Sequence, residues 1–121
     1  MDKPNYDLKL KYQDGIPVFS LAGEIGLNST GNIRRFLDDN FLSIKENMVV
    51  VDFKKVISVD SVGISSLIYL AKVLRDKSGR LVLTRLNDQI KDVIQIIGVE
   101  SWFEYSDSIE DSLKLLRNAK S

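Results

Sequence analysis

Leu8, Leu10 and Tyr12 alternate with Lys9 and Lys11, which predicts a strand over 7–12 with one buried face. Gln13-Asp14-Gly15 follows as turn residues, and Ile16 to Ala22 returns as a second strand, so the two form an antiparallel hairpin. Residues 23–30 read as a loop in which Ser29 or Thr30 caps the next helix. Ile33, Phe36, Leu37, Phe41 and Ile44 recur at helical spacing up to about Asn47, with Arg34, Arg35, Asp38 and Asp39 on a solvated outer face. Met48 to Phe53, MVVVDF, is apolar on both faces, as a central parallel strand covered by helices must be. Lys54 to Asp60 reads as the connection out of that strand.

The following helix, roughly 61–77, is apolar on two sides. Ile64, Leu67, Ile68, Ala71 and Leu74 make a core stripe, while Val62, Ser66, Tyr69 and Val73 line the opposite side. Contact with a neighbouring helix is the plain explanation of that second stripe; a partner surface is the functional one. Ser78-Gly79 ends the helix, and Leu81 to Thr84 is a short buried strand. Asn87 caps a helix carrying Ile90, Val93, Ile94 and Ile97, stopped by Gly98. Trp102 to Tyr105 reads as a short edge strand, in which Trp102 is an anchor. Ser108 and Asp111 resemble a capping box before a last helix with Ile109, Leu113 and Leu116 inside. The order ββαβαβαβα predicts an α/β fold: a mixed, mostly parallel sheet of four to five strands with about four helices.

Composition narrows the chemistry. With 121 residues the chain has the size of one domain, spanning 1–121 with a core of about 6–116. Lys and Arg number 17 and so do Asp and Glu, a balance that disfavours nucleic acid and anionic membrane as partners. Cys and His are both absent, which excludes a disulfide, a thiolate nucleophile, a Cys/His zinc site and a Ser-His-Asp triad. No enzyme, cofactor or metal site is expected. No apolar run approaches the ~20 residues that cross a bilayer, and a cytoplasmic protein is expected.

The most informative segment is Val59 to Leu70, VDSVGISSLIYL, at a strand-to-helix connection where open α/β sheets place their sites. Ser61 falls at or beside the helix N-cap. A phosphate there meets free backbone N–H groups and the positive end of the helix dipole. Gly63 lets a partner loop or a phosphate approach the backbone; alternatively, Asp60 or Ser61 merely caps the helix and Gly63 merely packs against a strand.

The wider pattern resembles the anti-sigma factor antagonist family, the STAS domain, from about Tyr6 to Leu116. The resemblance is carried by Gly23-Glu24-Ile25, Asp52, Asp60-Ser61-Val62-Gly63, Gly79-Arg80-Leu81, Ile97-Gly98 and Trp102-Phe103. It implies a STAS-like fold and a bacterial partner switch acting in transcription regulation. The unphosphorylated domain would bind an anti-sigma factor that is itself a Ser/Thr kinase, and so release a sigma factor. Phosphorylation of Ser61 would break the complex, and a Ser/Thr phosphatase would restore it. The expected partner surface is Asp60, Ser61, Val62, Gly63, Ser65, Ser66 and Tyr69, with Asp60 orienting the phosphoacceptor or being read by the kinase. Ser58, Ser65 and Ser66 are lesser candidates for modification.

Three positions depart from the family pattern. Val62 stands where a second hydroxyl is common, Ser65 where Gly is common, and Gly26 where an acidic residue follows Gly-Glu-hydrophobic. Two other readings therefore stay open: a STAS docking subunit of a larger regulatory complex that is not phosphorylated, and a weak nucleotide-binding module. Against the second, neither a Walker A pattern nor G-x-G-x-x-G is present. Oligomeric state is left open.

Overall fold

A computed structural model describes residues 6–26 and 47–118. Among them are five strands and three α-helices: β1 (Tyr6–Gln13), β2 (Ile16–Ile25), β3 (Met48–Val59), α1 (Ser61–Asp76), β4 (Arg80–Thr84), α2 (Asp88–Ile97), β5 (Glu104–Ser106) and α3 (Ile109–Arg117). The expected helix carrying Ile33 to Ile44, its Ser29 or Thr30 cap and its Arg34, Arg35, Asp38 and Asp39 face lie outside the described residues.

The sheet order is β1-β2-β3-β4-β5. β1 pairs antiparallel with β2 around Asp14 and Gly15, both at positive φ, the geometry of a tight hairpin turn. Every other pairing is parallel. Alternation sorts the side chains between two faces. On one face Phe19, Leu21, Val49, Val51, Phe53, Leu81 and Leu83 pack under α1 and α2. On the other, Ile16, Val18, Val50 and Val82 pack against Leu113 and Leu116 of α3. Each such side chain, once buried, contributes about 1.5–3 kcal/mol relative to exposure.

Four expectations are corrected. Lys54 to Val59 is not a connection: β3 runs on to Val59, and Lys55 to Val59 pair with Ala22 to Ile25 of β2. Twice along this stretch β3 gains a residue on β2, because Ser20 pairs Asp52 but Ala22 pairs Lys55, and Gly23 pairs Val56 but Glu24 pairs Ser58. These bulges break the alternation and leave Ile57 67% exposed, so the sequence reads as loop. Second, Trp102 lies in a 3-10 turn, Glu100–Trp102, and the edge strand starts only at Glu104. The Trp102 ring is half-buried against the core, with the Arg75 guanidinium 4.0 Å from its centroid. Third, Ile97 points outward, 40% exposed, and α2 is held by Ile90 and Ile94. Fourth, β2 runs on through residues 23–25, expected as loop, because these residues pair with the bulged end of β3.

The predicted caps form. Asn87 Oδ1 accepts the Ile90 N–H at 2.9 Å, and Ser108 Oγ accepts the Asp111 N–H at 2.9 Å. Asn87 has a second task, since its Nδ2 donates to the Val56 and Ile57 carbonyls, each at 3.3 Å. It thereby fastens the start of α2 to the bulged end of β3. No helix among the described residues is long and apolar enough to cross a membrane.

Candidate functional site

The start of α1 is built by its contact with the end of β2. Asp60 has extended backbone and is the N-cap: its Oδ1 accepts the Gly63 N–H at 2.9 Å, which places Ser61 at the first helical position. The Asp60 N–H donates to the Ile25 carbonyl at 3.1 Å, and its own carbonyl takes the Ile64 N–H at 3.0 Å. Of the two capping options open in the sequence, Asp60 therefore takes the role.

Two glycines make this junction possible. A Cβ at residue 63 would stand 2.7 Å from the Ile25 carbonyl oxygen and 2.8 Å from Val59 Cγ1. A Cβ at residue 26 would overlap the Asp60 carboxylate. Gly26, a departure from the family pattern, thus has a local cause: the capping carboxylate occupies the space of a side chain there. Gly63 is approached by the protein's own strand, so the plain reading of this residue holds.

Ser61 and Ser65 are exposed, one helical turn apart, while Val62 and Tyr69 are half-buried on the same stretch of helix. The first turn of α1 holds no acidic residue. Its N-terminal end is the positive pole of the helix, partly met by the Asp60 carboxylate, and the Ser61 and Val62 N–H groups lack intrahelical acceptors.

Not all the expected surface residues reach the surface. Gly63 is buried, and Ser66 is only 1% exposed. The reason is the width of the inner stripe: Gly63, Ser66, Leu70 and Leu74 follow one another at three- and four-residue steps into the core. Ser66 therefore belongs with Leu70, which the two-stripe reading omitted, and not with Val62 and Tyr69. Its Oγ has no hydrogen-bond partner among the described residues. Of the lesser serines, Ser58 is partly buried in β3 opposite Glu24, and Ser65 is exposed.

Sequence reasoning missed Arg85. It follows β4 with φ +60°, and its Nε and Nη2 grip the buried Asp52 carboxylate at 2.9 and 2.5 Å. In the sequence Asp52 stands only as part of a pattern, and nothing local signals its partner 33 residues later.

A family profile described as the STAS domain matches residues 7–113. Similar solved structures include an anti-sigma factor antagonist from Mycobacterium paratuberculosis, at TM-score 0.85 and 19% identity, covering 98% of this chain and 100% of that one. The phosphorylated form of SpoIIAA, a Bacillus cell fate determinant, aligns with TM-score 0.70 and 19% identity over 92% of this chain and 100% of its own. A serine-to-glutamate variant of RsbS from Moorella thermoacetica aligns with TM-score 0.79 and 16% identity over 92% of this chain and 95% of its own. At such identities these structures speak for the fold; the profile match, over most of the length, shows that the chain belongs to the STAS domain family.

Proposed function

We propose that this chain is an anti-sigma factor antagonist that works as a phosphorylation-controlled partner switch, with Ser61 as the phosphoacceptor. The observation that carries this reading is an exposed hydroxyl at the first position of α1, beside N–H groups with no intrahelical acceptor and no acidic residue in the first turn. A phosphate on Ser61 brings a charge of about −1.5 to −2 to the positive end of the helix, which bears it without melting. In the unphosphorylated state Ser61, Val62, Ser65 and Tyr69 form the surface offered to an anti-sigma factor of the Ser/Thr kinase type, and a Ser/Thr phosphatase resets the switch. Asp60 orients the acceptor, because capping Gly63 fixes where the helix begins. That a neighbour of the same fold, SpoIIAA, is known in unphosphorylated and phosphorylated forms supports this reading.

The switch is electrostatic. Burying an unpaired dianion in a packed interface costs several kcal/mol, and every ~1.4 kcal/mol is tenfold in affinity. The test is intact mass and site mapping of the protein purified from its host, alongside Ser61→Ala and Ser61→Asp. Phosphate on Ser61, loss of incorporation in the alanine variant and weakened binding in the aspartate variant are the expected results. Aspartate carries less charge, so its effect is partial. Phosphate incorporation unchanged in Ser61→Ala removes Ser61 from the mechanism. No phosphate under growth, stress and stationary conditions favours a docking subunit that uses the same helix unmodified.

A further inference from the structure

Among the described residues, α3 covers only part of its sheet face. Leu113 and Leu116 pack over β3, β4 and the start of β2, and Ile109 marks the edge of that cover. Beyond it, a groove of about 350 Å³ runs across β1, β2 and the bulged part of β3. Its lining is cationic in balance, with four lysines and Arg85 against Asp7 and Asp52, although the chain as a whole is neutral. Lys9 and Lys11 enter from β1, opposite Ser20 and Val18.

The first β3 bulge shapes the opposite side. Phe53 and Lys54 stand together against Leu21, so the alternation breaks and two consecutive lysines, Lys54 and Lys55, both line the groove. The bulge is held in place. The Lys54 N–H donates to Asp52 Oδ1 at 3.1 Å, and the same carboxylate is anchored by Arg85 from a left-handed backbone conformation. Asp52 is therefore committed to Arg85 and the bulge amide. Lys11, Lys54 and Lys55 have no ion pair among the described residues, and Lys9 has only an exposed 4.0 Å contact with Asp7.

We infer that this groove binds a small multivalent oxyanion, such as pyrophosphate or the phosphate group of an organic ester. Lys11, Lys54 and Lys55, without an ion pair among the described residues, line a concavity the size of a small ligand, and a built bulge brings two of them there. The groove lies on the sheet face opposite α1, so its occupancy is independent of the switch at Ser61 and of the reading proposed for it.

The test is a titration of the full chain, isotope-labelled, with sodium pyrophosphate and with glucose 6-phosphate, against sodium chloride at matched ionic strength. Expected are saturating amide shifts at residues 52–55 and 85, and about tenfold weaker binding by Lys11→Glu combined with Lys54→Glu. The amide spectrum of that variant reports whether it is folded; Lys55→Glu alone is a milder second variant expected to weaken binding as well. Tighter binding of the ester than of pyrophosphate assigns the site to an organic phosphate, and the reverse to the inorganic ion. Shifts no larger than those with chloride, or shifts confined to residues 61–63, overturn the inference.

Discussion

Replacing Gly63 by Ala adds one methyl group at a crowded point of the β2–α1 junction. The new carbon would lie 2.7 Å from a backbone carbonyl and 2.8 Å from a branched side chain, neither of which is a flexible end that can step aside. Overpacking of this kind costs about 1–3 kcal/mol. Relief requires α1 to lift from β2, which strains the 3.1 Å bond from Asp60 to Ile25, worth about 1 kcal/mol net. Against this, Ala is favoured over Gly inside a helix by about 1 kcal/mol. The balance is a destabilisation of about 2 kcal/mol, or a Tm lower by roughly 8 °C for a domain of this size. Urea unfolding read by the fluorescence of Trp102, the single Trp, measures it directly. Ser65→Ala, exposed on the same helix, is the control, expected to stabilise by about 0.5 kcal/mol through propensity alone. A Gly63→Ala protein as stable as wild type, or more stable, refutes the argument that the missing side chain is a packing requirement.

Further outcomes follow from other contacts. Ser66→Ala removes a buried, unpartnered hydroxyl and raises stability by about 1 kcal/mol in the same urea assay; a loss of stability would mean that the hydroxyl has a partner. Asn87→Asp keeps the acceptor that caps α2 but turns the other end of the side chain against two carbonyls. It lowers stability by about 1–2 kcal/mol, where a role in capping alone predicts no loss. Burial, helped by the negative Glu100, pushes the Tyr105 hydroxyl up to about 12. The fold thus favours its protonated form, and that contribution, intact below pH ~10, is lost as pH rises towards 12. Ultraviolet titration of the four tyrosines should show a late step that Tyr105→Phe removes; an unchanged curve would contradict the assignment.

Where the hydrophobic pattern is driven by one environment, it was readable. The β1–β2 hairpin follows from alternation against a single core, and MVVVDF declares a strand covered on both faces. The second half of β3 was not readable, since its residues pair only with β2 and two bulges scramble their sidedness. The capping residues Asn87 and Ser108 were legible because a cap is a local bond. So was the location of Ser61 at the head of a helix. The burial of Ser66 was not, because a serine between Gly63 and Leu70 carries no sign of how wide the inner stripe is. Ser78 shows the limit of turn chemistry. It takes the left-handed position after α1, φ +57°, while the glycine beside it is required where Gly79 abuts the Asn47 carbonyl.

Order in the sheet is the same as order in the chain, β1 to β5. Each strand, as it leaves the ribosome, finds its neighbour already made and never has to insert between two others. Closure entropy is thus met one strand at a time. α3 reaches far back, where Arg117 meets Asp14 across 103 residues at 2.9 Å. A chain synthesised from its N-terminus can therefore assemble the sheet in sequence, and the last helix seals the second face when synthesis is nearly complete.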